Sequence, residues 1–215
     1  MHLLVHHRVA LAGATATSAI ALSDAFTQGL TGHNTVFADT SGVRWAIVLG
    51  SLVHALTYAA LVFVLLAEAP RIDTANRVAT VLRRVLTACL AVLSVGFLVA
   101  EPLRAFSSPP AYVETAWTIV ASAAFAGVLL SALAIGPFLL RQPTMRIGAA
   151  LLTGMVPLLG FTILIGMLAT DWMHPAYLET AMHFGIALLG TGTAAAVVAA
   201  ASAGNEASVS DTTTT

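Results

Sequence analysis

The sequence predicts an all-α protein, a polytopic membrane helical bundle of about six transmembrane helices with parallel hairpin repeats. Three observations predict this fold. The 215 residues are 58% hydrophobic and only 9% charged, whereas soluble domains carry about 25% charged residues. The few charges separate six apolar segments, each near or above the roughly 20 residues that a helix needs to span a bilayer. The stretch PPAYVETAW, which begins at Pro109, returns almost unchanged as HPAYLETAM at His174.

The predicted spans, segments one to six, cover residues 9–28, 45–67, 82–103, 113–140, 147–169 and 177–203. Segment one follows a basic start and resembles a secretory signal, but its long apolar run without a clear cleavage site favours a retained helix. All six are continuous apolar runs without two-residue alternation, which favours helices over barrel strands. Together they form one transmembrane domain over 1–203. Residues 204–215 are polar and predict a disordered cytoplasmic tail.

The arginines predict the orientation. If the N-terminus is cytoplasmic, the inner loops hold seven arginines and the outer loops only Arg44 and Arg104. This positive-inside bias places both termini in the cytoplasm, with the protein in the plasma membrane.

Arginine without lysine in an Ala-rich chain suggests a GC-rich prokaryotic genome. A net charge of −1 argues against a nucleic-acid partner. The expected partners are the lipid bilayer and other membrane subunits or further copies of the chain.

The repeated PAYxETA motif predicts an internal duplication. Segments three and four would form one hairpin and segments five and six a second copy in the same orientation. A weaker match of WAIV to WTIV hints that segments one and two are a third copy. In each motif the proline suits a helix start, and Glu114 or Glu179 falls in the first turn, where the helix dipole favours an anion. Either these glutamates only start helices at the membrane surface, or they line a shared outward-facing vestibule.

Ionisable residues inside spans indicate function by default, because burying them in lipid is costly. Five of them gather toward the predicted outer leaflet and are candidate ligand- or ion-binding residues: Asp24, Glu101, Glu114, Glu179 and His183. His183 follows Glu179 by one helical turn, and an acid beside a histidine can pass a proton near neutral pH. We therefore predict a small transporter, or a solute- or ion-binding protein, rather than an enzyme, and leave a metal open.

Several alternatives compete with this interpretation. His54, roughly 13 Å into the membrane, and His183 could be axial ligands of a b-type haem. The repeat alignment, however, places His183 level with Ala46, roughly 12 Å above His54, so no cofactor is expected. A zinc hydrolase would need Asp24, Glu179 and His183 to converge, which requires contact between segments one and six. In another interpretation, the histidines only hydrogen-bond neighbouring helices. A further alternative is a non-catalytic subunit that packs in a larger complex.

Small residues and one proline predict packing features. Pro157, between Gly154 and Gly160, is expected to kink segment five near mid-membrane. Close helix contacts, or the docking face of the non-catalytic subunit, are expected at Ala10, Ala14 and Ser18 in segment one and at Gly185, Gly190 and Gly192 in segment six. Cys89 is expected in the core. The N-terminal histidines His2, His6 and His7 lie at the predicted cytoplasmic end, remote from the four candidate acids and His183, and are expected to be interface residues.

Overall fold

The computed structural model describes residues 3–38, 41–107 and 109–192. Over these residues the chain is helical and contains no strand. The helices are α1 (Val5–Thr31), α2 (Arg44–Ala67), α3 (Ala69–Asp73), α4 (Arg77–Phe106), α5 (Ala111–Leu139), α6 (Arg146–Leu168) and α7 (Ala176–Ala187), with a 3-10 turn at Thr170–Trp172. Five of them, α1, α2, α4, α5 and α6, are long and apolar enough to cross a membrane. The all-helical prediction is therefore confirmed, and these five helices correspond to segments one to five.

Local sequence signals explain where several helices begin and end. The Asn76 side chain accepts a 2.7 Å hydrogen bond from the Ala79 N–H and so caps the start of α4. Pro110 immediately precedes α5, where its missing N–H is no loss. Gly32 ends α1 in the left-handed region at φ 71° and donates its N–H to the Gln28 carbonyl. The apolar runs thus fix the helices, and the flanking cap residues fix their limits.

The long helices and α7 pack in a ring in chain order. α1 contacts α2, α2 contacts α4, α4 contacts α5, α5 contacts α6, α6 contacts α7, and α7 returns to α1. The interior is apolar and includes Leu61, Leu86, Leu90, Ile135 and Leu152. The outer surface is also apolar, with Leu56, Phe63, Leu130 and Leu168 each more than 60% exposed. Such an exterior is consistent with contact with a lipid bilayer.

The two ends of the ring differ in charge. We call the end that holds the starts of α1, α4 and α6 the basal end, and the opposite end the distal end. Seven arginines lie at or near the basal end: Arg8, Arg71, Arg77, Arg83, Arg84, Arg141 and Arg146. At this end Gln142 donates a 3.2 Å hydrogen bond to the Arg71 carbonyl, which joins two connecting segments. Arg44 and Arg104 lie toward the distal end.

Segment six differs from its prediction. α7 has only 12 residues and is about 18 Å long, too short to cross a bilayer by itself. By Gly192 the chain has reached the basal end, since the Gly192 N–H donates to the Thr144 carbonyl at 3.1 Å. A sixth span over 177–203 is therefore not confirmed, and 193–203 together with the predicted tail lie outside the described residues.

α7 begins at Ala176, close to the predicted start at 177, and is short because it ends at Ala187, ahead of a turn in which Gly190 has φ 84°. The segment before it, 169–175, packs beside α1. The Trp172 ring packs edge-on against Phe26 of α1, with ring centroids 6.0 Å apart. Gly29 makes this approach possible, since a Cβ at that position would lie only 2.6–2.9 Å from the indole. The segment therefore occupies the distal end beside α1, and the N-terminus of α7 lies inside the protein.

The packing predictions at small residues have mixed outcomes. Ala10, Ala14 and Ser18 are buried, so this ridge faces the protein's own interior. Gly185 of α7 lies in close contact with Leu152 of α6, as expected for close helix packing. Gly190 is not helical: it follows α7 in a turn with φ 84°.

Pro157 lies within α6, which is helical from Arg146 to Leu168. Gly154 and Gly160 have no neighbouring atom within 4 Å of an added Cβ. They face open space, and so they do not mediate close helix contacts.

Candidate functional site

A buried carboxylate, Glu179, is the centre of the main polar cluster. It lies in the first turn of α7 and is buried among α2 and α7 side chains. The Tyr58 hydroxyl of α2 donates a 2.7 Å hydrogen bond to Glu179 Oε1. The Nε2 atoms of His54 and His183 lie 3.8 Å and 3.6 Å from the same oxygen. We call these four residues the central cluster.

His54 faces this carboxylate with a defined tautomer. Its Nδ1 lies 2.8 Å from the Gly50 carbonyl oxygen, which can only accept a hydrogen bond. Nδ1 therefore carries the proton, and in the neutral ring Nε2 presents a lone pair toward Glu179. The Phe97 ring stacks on the imidazole at 5.2 Å and holds its plane. A carboxylate oxygen and an imidazole lone pair facing each other need a proton or a cation between them.

His183 is fully buried, and neither ring nitrogen has a hydrogen-bond partner within the protein. Its Nε2 faces Glu179 Oε1, and the Tyr58 ring packs against the imidazole with centroids 5.4 Å apart. Buried polar atoms are normally paired because an unpaired one costs about 1–3 kcal/mol. His183 Nε2 is therefore a second imidazole nitrogen in the central cluster that faces the Glu179 carboxylate without a hydrogen bond.

The central cluster lies deep in the protein. Tyr58 and His54 lie 14 and 10 residues after the distal start of α2 at Arg44, or roughly 21 and 15 Å along the helix. The prediction that His183 lies about 12 Å above His54 is wrong, because both imidazoles contact one carboxylate oxygen. The repeat alignment assumed that every copy begins at the same height, whereas α7 begins beside the middle of α2.

The two PAYxETA glutamates have different environments. Glu179 is buried in the central cluster, whereas the Glu114 side chain is 49% exposed at the distal end, with the nearest Arg104 nitrogen 4.0 Å away. Glu101 is buried beside it: Oε1 accepts hydrogen bonds from Arg104 Nη1 at 3.0 Å and from Trp117 Nε1 at 2.8 Å. Glu101 and Glu114 thus form a separate group on α4 and α5, joined through Arg104.

Asp24 forms a third group near the distal end. Its Oδ1 accepts hydrogen bonds from the N–H and the hydroxyl of Thr35 at 2.6 and 2.9 Å. Its Oδ2 lies 3.5 Å from Nε2 of His174, the first residue of the second repeated stretch. Although α1 and α7 are in contact, Asp24 does not join Glu179 and His183. The five predicted residues therefore fall into three groups and do not form a single pocket.

A further cluster lies at the basal end. Glu68, which follows α2, is 2% exposed. Its Oε2 accepts a 2.7 Å hydrogen bond from Arg71 Nη1, and its Oε1 lies 3.5 Å from His7 Nε2 and 3.9 Å from His6 Nε2. His6 and His7 thus lie beside an acid that was not among the predicted site residues, at the opposite end from Asp24, Glu101 and Glu114. His2 lies outside the described residues. We call His6, His7, Glu68 and Arg71 the basal cluster.

The sequence contained a signal for the basal cluster. Segments one and two form a hairpin, so the start of the first and the end of the second must lie at the same end. His6 and His7 begin one helix and Glu68 follows the other, which places the three residues on one level. Because Glu68 lies just beyond its span, it resembles an ordinary flanking charge and its burial is not apparent from the sequence.

Comparison of the chain with protein-family models, with curated protein sequences and with solved structures finds no match.

Proposed function

We propose that the protein is a polytopic membrane protein that passes protons across the bilayer, with Glu179 as the central proton carrier. The observation that carries the proposal is the convergence of Tyr58, His54 and His183 on one carboxylate oxygen inside an apolar ring of helices. An imidazole nitrogen that faces a carboxylate oxygen, with a tyrosine hydroxyl on the same oxygen, is an arrangement that can pass a proton from one group to the next. Intramembrane carboxylates and histidines in series are also the usual elements of a proton relay.

The distribution of unpartnered polar atoms supports a route along α1 and α7. Among the described residues, buried side-chain atoms without a hydrogen-bond partner in the protein belong only to these two helices: His6, His7, Ser18, Thr180 and His183. Buried polar groups in such positions are normally satisfied by water or an ion. The seam between α1 and α7 therefore has the polarity of a hydrated path, in contrast to the apolar exterior.

Three imidazole–carboxylate groups mark this route. His174 and Asp24 lie near the distal end, the central cluster lies in the middle, and the basal cluster lies at the other end. At the level of the central cluster, next to Tyr58 on α2, the hydroxyls of Thr17 and Thr57 form a buried 2.7 Å hydrogen bond. The central and basal clusters are linked through α7, since the His7 ring is hydrogen-bonded to the Ala187 carbonyl, one turn after His183.

The arginine-rich basal end fits the cytoplasmic side of a plasma membrane. In this orientation the N-terminus is cytoplasmic, and protons from outside meet Asp24 and His174 first. The repeat origin of the two hairpins belongs to the same proposal. The retained motif supplies one exposed glutamate and one buried glutamate, and only the buried one acts as a carrier.

Proton flux into liposomes tests the proposal, and the repeated motif offers a matched control. The purified full chain is reconstituted with a trapped pH-sensitive dye, and a potassium diffusion potential drives the flux. Glu179→Gln keeps the size of the side chain but removes the carboxylate, so flux should fall at least about tenfold, because one indispensable proton site is lost. Glu114→Gln, in the exposed copy of the motif, should leave flux within about twofold of wild type.

Two results would overturn the proposal: wild-type flux no higher than that of empty liposomes, or equal flux in the two glutamine variants. Flux driven instead by an imposed pH gradient, once with sodium and once with an impermeant organic cation as the only salt cation on both sides, separates proton movement from movement of a small cation. The haem alternative predicts a Soret band in the purified protein. The same Nε2 atoms now face Glu179, a position that a haem iron would have to take over.

A subunit role through the small-residue faces of the first and last helices is the remaining alternative. The Ala10, Ala14 and Ser18 ridge is buried within the chain itself, so α1 does not offer that face to a partner. Substitution of the exposed side of α1 would separate this role from proton transfer, since only complex assembly would change.

A further inference from the structure

The basal cluster contains the donor set of a metal site. The Nε2 atoms of His6 and His7 and a carboxylate oxygen of Glu68 all lie within 4.8 Å of one another. His7 and Glu68 are each 2% exposed, and both Nε2 atoms are buried without a hydrogen-bond partner. Two unpartnered imidazole nitrogens directed at a buried carboxylate oxygen are what a divalent cation requires.

The distances fit a tetrahedral ion. Two ligands bound to one zinc at about 2.0–2.2 Å, at the tetrahedral angle, are themselves about 3.4 Å apart. The His7 and His6 nitrogens lie 3.5 and 3.9 Å from Glu68 Oε1. Two of the three ligand pairs therefore lie within about 0.5 Å of the spacing that a tetrahedral ion requires, and the third is within 4.8 Å.

The surroundings of His7 prepare it for this role. Its Nδ1 lies 2.9 Å from the Ala187 carbonyl oxygen, which can only accept, so the proton is on Nδ1 and the Nε2 lone pair is free. A backbone carbonyl on the second ring nitrogen is the usual support of a metal-bound histidine. Gly190 leaves the space for Glu68, because a Cβ there would overlap its carboxylate group.

We infer that His6, His7 and Glu68 bind a divalent transition-metal ion of the zinc class at the basal end. Two nitrogen donors and one carboxylate favour such an ion over calcium or magnesium, which prefer oxygen ligands only. Three protein ligands leave one tetrahedral position for water. The site shares His6, His7 and Glu68 with the basal end of the proposed proton route but does not include Glu179, so Zn²⁺ binding and the proton flux that depends on Glu179 are tested separately.

Arg71 provides a test, because its removal should change the metal affinity in the opposite direction from removal of a ligand. Its guanidinium contacts Glu68 Oε2, and the side chain is 47% exposed. It competes with a metal ion for the same carboxylate and adds a positive charge nearby. Removing Arg71 should therefore strengthen metal binding, whereas removal of a residue that merely supports the fold would weaken it or have no effect.

Zinc binding to the full chain tests the inference. The purified protein, freed of any affinity tag and of metal by a chelator, is titrated with Zn²⁺ against a chromophoric chelator. We expect one Zn²⁺ per chain in the wild type. His7→Ala should raise the Kd by more than about tenfold, the lower range seen even for outer-shell changes. His54→Ala, a histidine of the central cluster, is the matched control and should leave the Kd unchanged.

Co²⁺ in place of Zn²⁺ reports the geometry, since tetrahedral Co²⁺ gives strong visible bands that should disappear in His7→Ala. If His7→Ala does not fold, His6→Ala replaces it, because that side chain is 26% exposed and tolerates truncation better. Arg71→Ala should bind Zn²⁺ more tightly than wild type. Absence of stoichiometric Zn²⁺ in the wild type, equal loss in His54→Ala and His7→Ala, or unchanged or weaker binding in Arg71→Ala would each overturn the site.

Discussion

The hydroxyl of Tyr58 is the most direct probe of the central cluster. Tyr58→Phe removes a single oxygen from a side chain that is 1% exposed and keeps the ring that packs on His183. The lost 2.7 Å hydrogen bond to Glu179 is of the charged type, which contributes about 1.5–3 kcal/mol. We therefore expect the free energy of unfolding to fall by about 1.5–3 kcal/mol.

A double-mutant cycle isolates the interaction. Glu179→Leu removes the acceptor, so Tyr58→Phe in that background should cost much less and leave a coupling energy of about 1.5 kcal/mol or more. Unfolding in detergent micelles, driven by sodium dodecyl sulfate and followed by circular dichroism, measures all four proteins. Tyr112→Phe, on a residue that is 75% exposed, should change stability by no more than about 0.5 kcal/mol. An equal cost of Tyr58→Phe in both backgrounds would refute the geometry on which the proton-carrier proposal depends.

Two further predictions concern the scaffold. The Arg83 guanidinium, bonded to both oxygens of Asp73 at 2.8 Å, holds the pKa of that carboxyl below its ordinary 3.8. Above that pH, Asp73→Asn should therefore lower the free energy of unfolding by about 1 kcal/mol. The difference from wild type should vanish as the pH falls through the lowered pKa, because protonation of Asp73 removes the same interaction. A difference in stability that grows in acid would contradict this prediction. Gly148→Ala should destabilise the protein by about 1–3 kcal/mol, because the added Cβ would meet the α7 backbone. Gly154 faces open space, so Gly154→Ala should stabilise α6 by about 0.5–1 kcal/mol. Thermal unfolding measures both variants, and equal shifts in the two would contradict the close contact between α6 and α7.

The five long helices could be predicted from the sequence because hydropathy is a property of each segment by itself. Segment two, predicted as 45–67, is observed as Arg44–Ala67, and segment five, predicted as 147–169, is observed as Arg146–Leu168. Arg44 and Arg146 stand immediately before the two apolar runs, so the first residue of each helix coincides with a charge. No packing information is needed for this part of the fold.

The candidate site depends on relative heights, which local sequence does not encode. The repeated motif gives Glu114 and Glu179 the same neighbours and the same helix-starting tendency. Their environments differ because the first turn of α7 lies inside the protein, where Ala176 and Leu178 are buried, and this places Glu179 at the level of Tyr58. His54, Glu179 and His183 lie close together because α7 begins deeper in the protein than the repeat predicts. An alignment of the repeats assumes that equivalent residues have equal heights, and it therefore places His54 and His183 far apart.

The closure of the ring by α7 has a consequence for biosynthesis. α1 leaves the ribosome first and α7 follows all the other helices of the ring, so the hydrogen bond between His7 and the Ala187 carbonyl joins the earliest and latest parts of the assembly. Until α7 is inserted, Tyr58 and His54 have no carboxylate to contact, and the N-terminal imidazoles lack their carbonyl support. A chain that ends ahead of α7 would therefore keep its five long apolar helices but would lack the carboxylate of the central cluster and the carbonyl that supports His7.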